Sequence, residues 1–258
     1  MELNITHLYP DLMNLYGDLG NVVCLQKRAE WRGIKVTVNN ISIGSQLEAG
    51  QNDLYFFGGG QDADQLRTYP DLLAHKRAQL LIDLESDVPM LAICGGYQLL
   101  GKYFLDSNGN RIEGIGLLDM ETVAPTSEMR QRAVGDLVTR LEVTSALKQH
   151  PSGLGTLVGF ENHSGRTRLN PSAKIQTLGK VLVGVGDNFD CVSDGIVYKH
   201  VIGSYMHGSL LPKNPHLADW LITKALTTKY KTAVHLKPLD DTAEIAAHRY
   251  ILIRHDLD

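Results

Sequence analysis

The sequence predicts an α/β fold: a doubly wound, mainly parallel β-sheet flanked by helices, with additional β-hairpins in the second half. Three observations lead there. Short apolar, β-branched runs alternate with stretches of helical periodicity through the first part of the chain, the β-α-β grammar of a parallel sheet. Two short apolar runs lead into glycines, 54–57 directly and 90–93 through Cys94. With 43 % hydrophobic and 21 % charged residues in a chain of 258, there is ample material for a large buried core.

The elements follow in order. Residues 3–8 read as a strand, 18–31 as a helix ending at Gly33, 34–38 as a β-branched strand and 54–57 as a buried one leading into Gly58-Gly59-Gly60. The next helix is expected to start near Pro70, since proline suits a first turn; Leu73, Leu80, Leu81 and Leu84 recur on one of its faces. Pro89 closes it, 90–93 forms a strand ending at Cys94, and 97–104 reads as a helix. Ser107-Asn108-Gly109-Asn110 is a hairpin turn signal. Strands follow over 137–143, 156–160, 181–185 and 196–206, the last broken near His200. Asn214-Pro215 opens a helix with Leu217, Trp220, Leu221 and Ala225 on one face. A final helix carries Ala243, Ala246, Ala247 and Tyr250 at helical spacing, read as core contacts. No repeat, low-complexity tract or Pro/Ser-rich linker interrupts 1–258, so one domain is expected.

A formal net charge of −4 argues against an extended basic face for nucleic acid or anionic lipid. No apolar run is long enough to span a bilayer, and Met1-Glu2-Leu3-Asn4 lacks the basic and apolar regions of a secretory signal. Cys24, Cys94 and Cys191 are odd in number, far apart and without a C-x-x-C pair, so neither a disulfide framework nor a zinc knuckle is expected. These features together predict a cytoplasmic protein.

The chemistry centres on Cys94. In L-A-I-C-G-G-Y-Q-L-L-G a cysteine ends a buried strand and is followed by two glycines and a helical pattern, the form of a nucleophile elbow. A turn that sharp strains the nucleophile's backbone and requires small neighbours, which Ala92, Gly95 and Gly96 supply. The sulfur then stands at the carboxyl edge of the sheet, where open α/β sheets bind ligands, at a helix N-terminus that favours thiolate. Cys24 and Cys191 lack such a frame and read as structural. The run resembles the C-x-G-x-Q elbow of class I glutamine amidotransferases, with Cys94, Gly96 and Gln98 in register and Ala92 in place of the usual glycine.

A thiol attacking an amide needs a base that later serves as acid. Among ten histidines, His207 in G-S-Y-M-H-G-S-L-L-P resembles the catalytic histidine of the Y-x-H-G motif in the CobB/CobQ-like (cobyric-acid-synthase-like) branch. His163, in G-F-E-N-H-S-G-R-T, is the rival base. The resemblance instead places that stretch, with Asn162 and His163, along the glutamine pocket, together with Gln98. An oxyanion needs N–H donors: Gly95, following the nucleophile, offers one, and the loop F-F-G-G-G-Q-D the second, with Gly59 preferred over Gly60. The same loop fits G-x-G-x-x-A, with Asp83 downstream, a weak dinucleotide fingerprint disfavoured by a helix starting as late as Pro70. Arginine suits a substrate carboxylate, and Arg132 in Q-R-A-V-G-D resembles the residue holding glutamine in the closest subfamily.

Two things are missing. Many class I domains carry an acid two residues after the histidine; here that residue is Ser209, leaving Glu161, Asp219, a partner's acid or an unaided dyad. No G-x-x-x-x-G-K-[ST] loop occurs, so a separate ligase is expected to use the nucleotide. L-Y-G-D-L-G-N near the start, the glycine loop, the elbow, G-F-E-N-H-S-G-R-T and the Y-x-H-G block together closely resemble the GatD-type glutaminase subunits of lipid II isoglutaminyl synthases. What that resemblance implies is hydrolysis of L-glutamine through a cysteine thioester, in a heterodimer with a Mur-ligase-like, MurT-type subunit. ATP and Mg would be bound only by that partner, and the ammonia would amidate the D-glutamate of the lipid II stem peptide to D-isoglutamine. The alternatives are a cobyric-acid-synthase-like amidotransferase with another acceptor, a cysteine peptidase or γ-glutamyl hydrolase on the same elbow, and a non-catalytic nucleotide-binding module on the glycine loop.

Overall fold

The computed structural model describes residues 1–125, 131–142, 147, 154–170, 175–208 and 210–257. The chain runs β1 (Glu2–Leu8), α1 (Leu19–Glu30), β2 (Lys35–Ile41), β3 (Leu54–Phe57), α2 (Asp62–Asp71), a π-helical turn (Leu72–Lys76), α3 (Arg77–Glu85), β4 (Met90–Ile93) and α4 (Gly95–Gln98). Then come β5 (Tyr103–Leu105), β6 (Arg111–Glu113), β7 (Met120–Val123), β8 (Ala133–Leu141), β9 (Thr156–His163), β10 (Arg166–Leu169), β11 (Ile175–Val183), β12 (Ser193–Tyr198) and β13 (Val201–Ser204). The helices α5 (Leu210–Lys213), α6 (Pro215–Tyr230) and α7 (Thr242–Arg254) finish it.

The main sheet has the strand order β2-β1-β3-β4-β13-β12-β11-β8-β9. From β2 to β13 every pairing is parallel, and from β13 to β9 every pairing is antiparallel. The α/β reading therefore holds for a mixed sheet, parallel where helices alternate with strands and antiparallel where hairpins follow one another. Every residue of β3, β4 and β13 is buried, which explains their unbroken apolar sequences. A smaller sheet, β10-β7-β5-β6, is built around the hairpin at Ser107–Asn110. There Gly109 takes φ +84° and Asp106 Oδ1 accepts from the Asn108 and Asn110 N–H groups.

Register places the site. Leu8 pairs with Phe57, Phe57 with Ala92, and Ile93 with Ser204. The carboxyl ends of β1, β3, β4 and β13 thus lie side by side, and the segments after them, containing Asp18, Gly58–Gly60, Cys94 and His207, meet at one sheet edge. A two-way backbone bridge between Phe160 and His207 draws the end of β9 to the same place.

Three expectations differ from what is found. The helix foreseen near Pro70 starts at Asp62, with a capping box between Gln61 and Asp64, and Pro70 lies inside it. Proline removes one bond from the helical ladder, and the next turn is wound wider. The helix foreseen over 97–104 is one turn, Gly95–Gln98, after which Tyr103–Leu105 pairs as a strand with β6 and β7. On α7 the Ala243, Ala246, Ala247 and Tyr250 stripe faces solvent, and the buried residues are His248 and Leu252. Periodicity identified the helix there but not which side meets the core. The strand foreseen over 137–143 is part of β8, Val143 lying outside the described residues.

A buried ion network ties α1 to the C-terminal elements. Arg28 Nε donates to Asp219 Oδ1 at 2.7 Å and its Nη1 to Asp241 Oδ1 at 2.6 Å, while Arg32 Nη2 reaches Asp219 Oδ2 at 2.6 Å. Arg28→Met should cost about 3–5 kcal/mol, because it strands carboxylates in a buried setting. Calorimetry would read this as a Tm lower by on the order of 10 °C; a shift within a degree or two would show that Arg32 alone satisfies the cluster.

Candidate active site

Cys94 adopts φ 48° and ψ −106°, a conformation that costs a non-glycine residue roughly 1–3 kcal/mol and persists only where surroundings enforce it. They do so here. The Cys94 N–H donates to Ser204 O of β13 at 2.9 Å, its carbonyl accepts from the Gln98 N–H at 2.9 Å, and the Gly96 N–H donates to Gly58 O at 3.1 Å. A Cβ on Gly96 would lie 2.4 Å from the Phe57 carbonyl oxygen, so the elbow closes against β3 only with glycine there. Ala92 is fully buried and tolerated. Because α4 is a single turn, the charge available from its N-terminus is smaller than a full helix would give. Stabilisation of a thiolate has to come mainly from a nearby cation.

His207 is that neighbour, fully buried at the end of β13. A Cβ on Gly59 would lie 3.2 Å from His207 Nε2 and 3.3 Å from Cys94 Cβ, so imidazole and thiol flank the same glycine. Nε2 makes no hydrogen bond among the described residues and lies beside the same glycine as Cys94 Cβ. Nδ1 is held by Asp18, at 3.1 Å from Oδ2 and 3.2 Å from Oδ1. Burial alone would depress this imidazole, but the Cys94 charge and the Asp18 carboxylate outweigh it and lift His207 to about 10. Tyr16 packs edge-on against the same ring, 5.1 Å between centroids.

Asp18 is the candidate site residue that the sequence reading missed. It immediately precedes α1, where an aspartate ordinarily caps the helix, yet it makes no capping bond. The two acids singled out instead are committed elsewhere. Glu161 accepts the Val185 and Gly186 N–H groups at 2.7 and 2.9 Å, and Asp219 pairs with Arg28 and Arg32. Ser209 lies outside the described residues. Its signal in the sequence is L-Y-G-D-L-G, an acid between two glycines on the loop leaving β1; its complete burial is visible only in the fold.

Asp18 also alters the oxyanion assignment. Its Oδ2 accepts the Gly59 N–H at 2.8 Å, so that amide is spent and Gly59 is not the second donor. The Gly60 and Gly95 N–H groups make no hydrogen bond among the described residues, and a Cβ on Gly95 would lie 3.0 Å from Gly60 N. They are the adjacent free pair. The dinucleotide reading also needs a new ground, since α2 starts at Asp62, right behind the glycines. What opposes it is Asp83, whose Oδ2 is taken by Tyr55 Oη at 2.6 Å, with Asn52 beside it.

Cys94 and His207 open into a cleft of about 430 Å³ whose walls include Gln98, Arg132, Asn162 and His163. Arg132 is anchored at the mouth, donating from Nε to Asn162 Oδ1 at 2.5 Å and from Nη2 to Asn162 O at 3.3 Å; its Nη1 points to no described partner. His163 has both ring nitrogens engaged, with Gly165 O and Glu161, and stacks on Tyr205 with centroids 3.7 Å apart. That leaves it a wall rather than a rival base. Gln98 has its amide engaged by Gln65 and Tyr205, so it supports the cleft more than it reaches into it.

The CobB/CobQ-like glutamine amidotransferase domain matches residues 4–215. The chain belongs to this family. Among curated members, the GatD subunit of the glutamine-hydrolyzing lipid II isoglutaminyl synthase of Streptococcus pneumoniae is 41 % identical over 93 % of this chain and 86 % of that protein. The corresponding Staphylococcus aureus subunit is 38 % identical over 98 % and 96 %. Among solved structures, the glutaminase domain of Trypanosoma brucei CTPS superposes with a TM-score of 0.57 at 13 % identity, covering 91 % of this chain and 96 % of that one. A Thermotoga maritima glutamine amidotransferase gives 0.55 at 16 %, covering 99 % and 94 %. These likenesses show that this chain shares the fold of those two structures. Among the described residues no helix is long and apolar enough to cross a membrane.

Proposed function

We propose that this chain is the glutaminase subunit of a lipid II isoglutaminyl synthase. The observation that carries the chemistry is the buried line Asp18–His207–Cys94 on a strained elbow, opening into a cleft with an arginine at its mouth. Arg132 Nη1 takes the α-carboxylate of L-glutamine, and the side-chain amide reaches Cys94. The thiolate adds to the carboxamide carbon, and the charge on oxygen is met by the Gly60 and Gly95 N–H groups. His207, as imidazolium, gives its proton to the departing nitrogen, so ammonia leaves and a γ-glutamyl thioester remains. Neutral His207 then deprotonates a water, which attacks the thioester. Glutamate departs with the thiol restored as thiolate beside imidazolium.

The lipid II acceptor and the partner rest on likeness to proteins named as subunits of that synthase. In this reading a Mur-ligase-like, MurT-type subunit binds ATP and Mg and activates the D-glutamate α-carboxylate, all in the cytoplasm. The test is ammonia release from L-glutamine by the chain with such a ligase, together with intact-mass detection of the γ-glutamyl adduct on Cys94 and of D-isoglutamine in lipid II. Release of ammonia without lipid II amidation would reject the acceptor and keep the glutaminase. No ammonia at all would reject both.

A further inference from the structure

Gln65, on the first turns of α2, is 1 % exposed and lines the cleft. Its carboxamide ends a relay of buried polar groups. Thr122 and Thr167 hydroxyls meet at 2.8 Å, Thr167 meets Tyr205 Oη at 2.6 Å, Gln98 Nε2 donates to Tyr205 Oη at 3.1 Å, and Gln65 Nε2 donates to Gln98 Oε1 at 2.9 Å. With Gln65 Nε2 used by Gln98, the carbonyl oxygen is the atom left over. Gln65 Oε1 is buried with no hydrogen-bond partner, and an orphaned buried acceptor is costly unless something supplies a donor. The Gln65 carboxamide as a whole sits at the reacting end of the cleft: a Cβ on Gly95 would lie 3.1 Å from its Nε2 and 3.0 Å from Gly60 N.

We infer that Gln65 Oε1 receives the carboxamide N–H of the substrate and makes the site selective for an amide over the acid it produces. This rests on the glutaminase reading above. With the substrate oxygen on Gly60 and Gly95, the amide nitrogen is the donor nearest Gln65, whereas the α-ammonium lies at the mouth beside Arg132. Product glutamate, as carboxylate, has no N–H there and sets two oxygens among groups of which one is a fixed acceptor. Gln65 is thus a specificity residue that favours substrate entry and product departure.

The measurement compares L-glutamine with glutamate γ-methyl ester, which offers the same carbonyl without an N–H, for wild type, Gln65→Met and Gln98→Met, each with the ligase partner. Gln65→Met should lower kcat/KM for glutamine about tenfold relative to the ester, and glutamate should inhibit it no less tightly than wild type. Gln98→Met cuts the relay but leaves the acceptor, and should move both substrates together. Because the readout is a ratio within one protein, partial misfolding does not alter it. An unchanged glutamine-to-ester ratio in Gln65→Met would overturn the inference, while a wild type inactive on glutamine would overturn the glutaminase reading instead.

Discussion

Replacing Cys94 with serine is expected to abolish glutamine hydrolysis, by about 10⁴-fold or more, while leaving the fold intact. The substitution keeps size and the elbow's hydrogen bonds, since those run through the backbone, so the Tm should stay close to that of wild type. What is lost is ionisation. A thiol gives up its proton near pH 8.5 in water, within reach of a neighbouring imidazole, whereas a serine hydroxyl does not. Without a full helix behind it, the elbow has little else with which to generate an alkoxide. An ammonia-release assay decides this, and a serine variant retaining a tenth of wild-type activity would mean that Cys94 is not the nucleophile.

Asp18→Asn should lower kcat by roughly 10²- to 10⁴-fold, the range for a disabled general acid–base, and should also reshape the pH profile. In the wild type His207 is held protonated up to about 10 by the Cys94 charge and by Asp18, against the effect of burial. Activity should therefore fall on the alkaline side as His207 loses the proton that ammonia needs. Asparagine supplies no charge, so that limb should move to lower pH. Linkage gives the matching stability effect. A raised histidine pKa stabilises the fold fully below pH 6.5 and loses that contribution as pH climbs through about 10. Asp18→Asn should thus lower the Tm more at pH 6 than at pH 10. Loss of activity with an unmoved alkaline limb would assign Asp18 to holding Gly59 alone.

Which parts of this site were legible in the sequence depended on whether their signal was local. The elbow could be read because strand, cysteine and small residues are contiguous, and His207 because its motif follows a strand. Asp18 was harder to read, since an aspartate before a helix looks like a cap and it lies at the other end of the chain from the histidine it holds. Gly59 was ranked above Gly60 because spacing does not reveal which amide a buried carboxylate has taken. Pro70 suggests a late helix start, whereas the Gln61–Asp64 capping box sets it at Asp62. The outward stripe on α7 shows the same limit: helical spacing of alanines and a tyrosine fixes a face, and only packing tells which face is covered.

The sheet register also orders events in time. Asp18, Gly60 and Cys94 belong to the part of the chain made first, whereas His207 arrives on β13, whose Val201 pairs with Met90 across a long sequence separation. Contacts that distant pay a large closure entropy and form late. The thiol is therefore made well before its base. The pairing of Cys94 with His207 exists only once β13 lies beside β4, so the site is a property of the closed sheet and of no single segment.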